Sequence, residues 1–216
     1  MRKGEATRER ILEIAEAAVL AKGFEATSIE EIIAEAGITK SGFFYHFRDK
    51  NVLARDLLRR YVEADDRIFD EVFHRAAELA DDPLQRFLIG LKMLAEIMEN
   101  LPGGHPGCLV ASICYQERLF DREVVEYNRR SVEGWNARFR GYLDAIVERY
   151  PQRDPVDLDA LAEMFSCVVD GGIIMAKVLD DPSRLARQVL AYRSFIKLQF
   201  SPATAAADRT PAFAAA

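Results

Sequence analysis

The fold of this chain is decided by residues 27–50, which read TSIEEIIAEAGITKSGFFYHFRDK. Thr27 and Ser28 are each followed three residues later by a glutamate, which is the spacing of a helix-capping box. Gly37 follows a short apolar stripe, at a point where a residue without a side chain can end a helix at no steric cost. Thr39 can cap a second helix. The pattern predicts two short helices joined by a glycine turn, which is a helix-turn-helix.

The placement of charge in this segment favours nucleic-acid binding over an ordinary helical hairpin with core aromatics. Residues 37–48 contain two cations and no carboxylate, and Lys50 adds a third cation. The whole chain is acidic, with 29 Lys and Arg against 35 Asp and Glu, and residues 1–50 carry eight bases against nine acids. Because global charge does not indicate nucleic-acid binding, we expect a local basic strip whose binding is sensitive to salt.

Several separated motifs around this segment resemble the N-terminal domain of the TetR family of transcriptional regulators. The matching motifs, between about positions 7 and 58, are Lys22-Gly23-Phe24, Thr27-Ser28, Ile33-Ala34-Glu35-Ala36-Gly37-Ile38, Phe43-Phe44-Tyr45-His46-Phe47 and Asp49-Lys50. The resemblance implies a homodimer whose paired recognition helices enter successive major grooves of double-stranded operator DNA. It also implies a larger helical domain that binds a small apolar or reactive effector, and a role as a repressor that the effector releases.

The resemblance implies DNA contacts residue by residue. The implied contacts are Thr27, Ser28, Thr39, Lys40, Ser41, Gly42, Phe44, Tyr45, His46 and Lys50. Lys50 matches a lysine that clamps a phosphate. Phe44 departs from the family pattern, which usually has a tyrosine there, and phenylalanine has no hydrogen-bond donor. Either Tyr45 and His46 take over that contact or one phosphate contact is missing.

The rest of the chain is predicted to be helical, because helical periodicity recurs and no alternating strand pattern stands out. The predicted fold class is all-α. A three-helix helix-turn-helix DNA-binding domain is joined by a long helix to a larger helical bundle. We expect a DNA-binding domain at 1–50, a ligand-binding and dimerisation domain at 51–200, and a disordered alanine-rich tail at 201–216.

The last two predicted helices, residues 158–179 and 182–200, are the predicted dimer interface. The predicted interface residues are Leu161, Phe165, Val168, Gly171, Gly172 and Met175. Two consecutive glycines inside a helix cost about 1 kcal/mol each relative to alanine, which calls for a compensating close approach. A buried crossing within the chain, or a kink, is the alternative explanation for this glycine pair.

The effector pocket is predicted among aromatic and sulfur side chains of the middle helices. Its predicted lining is Met93, Ile97, Cys108, Trp135, Phe139, Tyr142, Met164, Phe165 and Cys167. Core packing is the alternative role for each of these residues.

Cys108 carries a second functional hypothesis. It follows Gly107 near a predicted helix N-terminus, where amide dipoles lower a thiol pKa, and His105 is close in sequence. The Gly-Cys-Leu-Val segment also resembles regulators that sense electrophiles or oxidants through a cysteine. Packing as a small apolar residue is the alternative role for Cys108.

Other protein classes lack support in the sequence. The three histidines lie on separate segments, and no metal-ligand spacing, phosphate loop or nucleophile elbow is present, so neither a cofactor nor an enzyme is predicted. A helical protein-interaction adaptor remains a remote alternative.

Neither a signal peptide nor a long apolar run is found, and three cysteines suit a reducing compartment, so we expect a cytoplasmic location without membrane association.

Overall fold

The computed structural model describes residues 3–200, and the tail predicted to be disordered lies outside the described residues. The described chain is all-α, as predicted, with no strand between residues 3 and 200. The helices are α1 (Lys3–Ala26), α2 (Ile29–Ala36), α3 (Lys40–His46), α4 (Lys50–Leu79), α5 (Pro83–Glu99), α6 (Leu109–Tyr115), α7 (Arg122–Val147), α8 (Leu158–Val178) and α9 (Ser183–Phe200), with a short 3-10 turn at Glu117–Leu119 between α6 and α7.

The helix-turn-helix forms through the local signals that predicted it. Ser28 caps α2 by accepting a hydrogen bond from the Glu31 amide at 3.1 Å. Gly37 ends α2 in the left-handed conformation, with φ 64° and ψ 38°. Thr39 caps α3 by accepting from the Gly42 amide at 3.1 Å. Each of these interactions spans at most one turn, which explains why the sequence alone predicts them.

Two apolar cores divide the molecule, and α4 contributes to both. The N-terminal core joins α1, α2 and α3 to the first two turns of α4, including Leu53 and Leu57. Leu109 and Ile113 of α6 also belong to this core. The larger body core is built from α5, α7, α8, α9 and the last turns of α4, around residues such as Phe73. The helix α4 therefore contributes residues to both cores and joins them.

The crossing of α8 and α9 corrects part of the predicted dimer interface. Gly172 faces α9 of its own chain, and a Cβ atom added there would lie 2.8 Å from Leu185 Cδ1 and 3.2 Å from Leu185 Cα. Leu161 and Phe165 are buried in the body core, so they cannot form an open contact surface. The intrachain explanation of the glycine pair is therefore right for Gly172. Gly171 has open space around its Cα, and Met175 is exposed.

None of the described helices has the length and apolar content that a membrane span requires.

Candidate nucleic-acid interface and internal cavity

The outer surface of α3 presents side chains that can meet a large polar partner. The ring of Phe43 is fully buried in the N-terminal core and anchors the helix. Tyr45 is 83% exposed, and Phe44, Lys40 and Ser41 are exposed as well, while His46 is half-buried. Most of the predicted DNA-contact residues of α3 are therefore exposed, while Phe43 fixes the helix to the N-terminal core.

Residues 37–48 contain no carboxylate, but an acid of the neighbouring helix α2 reaches Lys40 of α3. The Lys40 ammonium lies 3.3 Å from the Glu30 carboxylate of α2, and both side chains are largely exposed. An exposed pair of this kind contributes little to stability. Lys40 can therefore leave Glu30 for a phosphate or a base edge at little cost.

Thr27 does not belong to the contact surface. Its side chain is 1% exposed, and its hydroxyl donates a hydrogen bond to the Gly23 carbonyl at 2.8 Å. Gly23 interrupts α1 with φ 84° and ψ 165°, so its carbonyl has left the helical ladder. Thr27 thus closes the corner between α1 and α2, and its predicted DNA contact is wrong.

Lys50 braces the same corner. Its ammonium donates to the Phe24 carbonyl and, at 2.7 Å, to the Thr27 carbonyl. Burial lowers the pKa of Lys50, although the charge of Glu25 opposes this shift. Two of the three ammonium N–H groups of Lys50 therefore bind backbone carbonyls of its own chain. One N–H group is left for a DNA phosphate.

Replacing Lys50 by Ala is expected to lower the free energy of unfolding by about 1–3 kcal/mol, because two carbonyls at the corner between α1 and α2 lose their donor. Urea unfolding measures this loss. A matched Arg48→Ala variant should be nearly neutral, since Arg48 is exposed and its ion pair with Asp49 joins two adjacent residues at the surface. If Lys50→Ala kept full stability and only flattened the salt dependence of DNA binding, the bracing role would be refuted.

A partly open cavity of about 220 Å³ lies between the two cores. Its walls come from α1, α4, α5, α7, α8 and the loop before α6. The lining residues are Glu16, Leu20, Tyr61, Asp65, Ile68, Phe69, Leu94, Ile97, Met98, Leu101, His105, Pro106, Cys108, Trp135, Phe165, Ser166, Val169, Asp170 and Ile173.

The predicted pocket residues divide into two groups. Ile97, Cys108, Trp135 and Phe165 line the cavity. The other predicted residues, which do not line it, are Met93, Phe139, Tyr142, Met164 and Cys167. Burial within the body core or exposure on the surface explains their absence from the lining: Phe139 stacks on Phe165 with ring centroids 4.0 Å apart, and Cys167 is exposed.

The sequence patterns did not predict the acidic residues of the cavity. Tyr61, Asp65 and Phe69 recur every four residues along α4, so they share one helical face. An acid between two aromatic residues on one helical face is a signal that could have identified the site. Asp170 of α8 completes the acidic part of the wall.

The surroundings of Cys108 favour packing as a small apolar residue over a reactive thiolate. Burial, followed by the negative charge of Asp170, raises the pKa of the Cys108 thiol to about 12. His105 cannot stabilise a thiolate as a cation, because burial and the charge of Lys177 lower its pKa. Cys108 does cap α6, since its sulfur accepts a hydrogen bond from the Ala111 amide at 3.4 Å.

A second open surface lies on the outer side of α8 and α9. Apolar side chains at helical spacing remain exposed there, with Ile174 at 49% and Leu198 at 61%. Met175 and Val178 are also exposed near the end of α8, and Phe195 is exposed one turn before Leu198 near the end of α9. We call these five side chains the α8–α9 face.

The helix α6 links the cavity to the N-terminal core. Its capping residue, Cys108, lines the cavity, and Leu109 and Ile113 pack in the N-terminal core. Just beyond α6, the Gln116 side-chain oxygen accepts hydrogen bonds from the Phe24 amide at 3.0 Å and the Glu25 amide at 3.3 Å. A displacement of α6 would therefore reach the corner between α1 and α2.

Metal chemistry finds no support, because residues 3–200 bring no three His, Cys, Asp or Glu side chains together in a metal-binding arrangement.

Comparison with known proteins adds three similarities. Residues 11–57 match the model for bacterial regulatory proteins of the TetR family. The transcriptional regulator AcuR of Cereibacter sphaeroides is 29% identical over 161 residues, which cover 73% of this chain and 70% of that protein. The transcriptional repressor DhaR of a Mycobacterium species is 22% identical over 171 residues, which cover 79% and 82% of the two chains.

The fold has a solved counterpart. The crystal structure of a TetR-family transcriptional regulator from Agrobacterium tumefaciens superposes with a TM-score of 0.76 at 18% identity. The match covers 92% of this chain and 100% of that one. At this identity the similarity concerns the arrangement of helices.

Proposed function

This chain belongs to the TetR family of transcriptional regulators, and from that premise we propose that it is a homodimeric repressor released from operator DNA by a small molecule. Residues 1–50 would form the DNA-binding domain, and residues 51–200 would bind the effector and the second subunit. The repressor role is proposed by similarity to DhaR, which is named a repressor.

The observation that carries the ligand response is the shared wall of the cavity. Glu16 and Leu20 belong to α1 of the N-terminal core, whereas Phe165 and Asp170 belong to α8 of the body. A molecule in the cavity would therefore contact both parts of the protein at once. If it fits one relative arrangement of the two parts better than the other, it shifts their equilibrium by its differential affinity.

We propose that α6 transmits this shift. Cys108 at its start touches the cavity, and Gln116 beyond its end holds two amides of α1. The α1–α2 corner positions α2, and α2 in turn supports α3. A small movement of α6 would alter the separation of the two recognition helices in a dimer, and so the fit to successive major grooves.

The DNA-binding surface is proposed to be the outer side of α3 together with Ser28 and Thr39. These two hydroxyls accept capping bonds, yet each can still donate to a phosphate oxygen. Lys40, Ser41 and Gly42 would face base edges, and Tyr45 and His46 would contact bases or phosphates. Phe44 has no donor, so we assign it apolar contact only.

Replacing Tyr45 by Ala tests this surface. The variant should lose about tenfold or more of its affinity for specific DNA, because one contact contributes about 1–3 kcal/mol. The measurement is a mobility-shift titration against DNA flanking the gene, beside random DNA of equal length. Tyr115→Ala is the matched control, because Tyr115 is 79% exposed on the C-terminal end of α6. Equal losses in the two variants, or none in Tyr45→Ala, would exclude α3 as the reading surface.

Redox or electrophile sensing through Cys108 is not proposed. The thiol is buried beside a carboxylate that further disfavours the thiolate, and the thiolate is the reactive form.

A further inference from the structure

The charged side chains of the cavity all have the same sign. Its lining contains the carboxylates of Glu16, Asp65 and Asp170 and no lysine or arginine. His105 is the basic residue of the lining, and burial lowers its pKa, so it is neutral near pH 7. The cavity therefore presents acids without cations of its own.

Asp65 is the least compensated of these acids. Within residues 3–200 its carboxylate has no hydrogen-bond donor and no ion-pair partner. The next residue, Asp66, differs, because its carboxylate pairs with Arg138 at 3.3 Å outside the cavity. Glu16 lies 3.7 Å from Arg60, and Asp170 interacts with the Cys108 thiol. Glu16 thus has an ion-pair partner although its Oε2 atom accepts no hydrogen bond, whereas Asp65 has neither an ion pair nor a donor within residues 3–200.

An unpaired carboxylate that is largely shielded from water is costly, and such groups normally pair or become neutral. Burial, with the nearby charges of Asp66 and Glu16, raises the pKa of Asp65 to about 7. A bound cation would remove that cost. An anionic ligand would instead add a further negative charge to a wall that already carries three carboxylates.

The remaining walls suit the body of such a ligand. Tyr61, Phe69, Trp135 and Phe165 are aromatic, and the faces of aromatic rings attract ammonium groups. The volume of about 220 Å³ limits the occupant to a small molecule, on the order of one ring with a substituted ammonium group.

We propose that the cavity binds a small organic cation, an amine or quaternary ammonium group on an aromatic or apolar body, with Asp65 as its main counter-charge. This inference rests on the proposed function, since it names the chemical class of the effector.

The test compares three ligands of similar shape and different charge on the full-length protein. Benzyltrimethylammonium is the cation, neopentylbenzene is its neutral isostere, and 3-phenylpropanoate is the anion. The chain contains one tryptophan, Trp135, which lines the cavity and also a neighbouring groove beside Asp66 and Arg138. A fluorescence change that is lost in Asp65→Asn and kept in Asp66→Asn therefore reports occupancy of the cavity. The cation should bind about tenfold or more tightly than the neutral isostere, and the anion should bind most weakly.

Two variants assign the preference to one side chain. Asp65→Asn keeps the shape of the wall but removes the charge, so it should abolish the preference for the cation over the neutral isostere. Asp66→Asn is the matched control, because its carboxylate faces Arg138, and it should keep the preference.

A pH series adds an independent readout. The charge of benzyltrimethylammonium does not titrate, so its affinity should rise several-fold from pH 6 to pH 8 as Asp65 ionises. The groups around Asp65 are Glu16 of α1, Tyr61 and Asp66 of α4, His105 and Cys108 near the start of α6, and Asp170 of α8. The rise should disappear in Asp65→Asn, which separates Asp65 from these neighbours.

The inference is overturned if the cation binds no better than the neutral isostere, if it fails to bind, or if Asp65→Asn keeps the preference. A mobility-shift assay with each ligand separates this result from the proposed function. Selective cation binding without release of DNA would support the ligand class and refute the ligand response. Release of DNA by the neutral or anionic compound alone would refute the ligand class and support the response.

Discussion

A protein carrying both Ile174→Glu and Leu198→Glu is expected to be monomeric and to lose at least about a hundredfold of its affinity for operator DNA. The reason is that both substitutions put a carboxylate on the apolar α8–α9 face, where the proposed dimer would strip it of water. Burying an unpaired charge costs several kcal/mol, and a twofold axis repeats each substitution in the second subunit. A monomer can hold only one half-site, and each 1.4 kcal/mol lost is a tenfold loss of affinity.

Analytical ultracentrifugation measures the assembly and mobility shift measures the DNA affinity. The matched control is Leu79→Glu, which adds the same charge at a 56% exposed leucine at the end of α4, away from the α8–α9 face. The control should remain a dimer with normal DNA binding. A double variant that still sediments as a dimer would show that the subunits meet on another surface.

Substituting Gly172 by Leu should lower the free energy of unfolding by about 1–3 kcal/mol, because α8 and α9 can no longer approach each other there. Even one added carbon would lie 3.2 Å from the Leu185 Cα, which is backbone and cannot rotate away. The two helices also hold Leu185, Val189 and Tyr192 in the body core, so their separation exposes apolar surface.

The adjacent Gly171 provides the control for this prediction. It has no neighbour within 4 Å of an added Cβ, and alanine favours the helix by up to about 1 kcal/mol over glycine. Gly171→Ala should therefore unfold in urea at the same or a higher midpoint, while the midpoint of Gly172→Leu falls. Full stability of Gly172→Leu would mean that the crossing is looser than the structure indicates.

Much of the fold could be predicted because its signals act within one helical turn. Ser28 and Thr39 cap the helices that they were predicted to cap, and Gly37 ends α2 in the left-handed conformation. Asp49 caps α4 through an equally local hydrogen bond with the Val52 amide. Pro83 begins α5, where its missing amide proton costs nothing. These interactions need no knowledge of the distant parts of the chain.

The errors concern residues whose role depends on contacts far along the chain. Thr27 has the hydroxyl of a capping residue. That hydroxyl donates instead to the Gly23 carbonyl, which the kink in α1 leaves without a helical partner. Lys50 follows a helix cap and was expected to contact a phosphate. Its ammonium instead donates to the carbonyls of Phe24 and Thr27, which lie 26 and 23 residues earlier in the chain. Spacing alone cannot reveal such a partner.

The sequence by itself predicted the all-α fold, the helix-turn-helix and the resemblance to the TetR family, because capping residues, helical periodicity and local charge are properties of neighbouring residues. Only the tertiary structure decided which face of each helix is buried. In the folded chain Gly172 faces α9, whereas Gly171 has open space around it. Cys108 is buried beside Asp170, and Asp65 lines a cavity between the two cores. The physical reason is that burial and the pKa of a buried group depend on every helix packed around it, and in this chain those helices come from distant parts of the sequence.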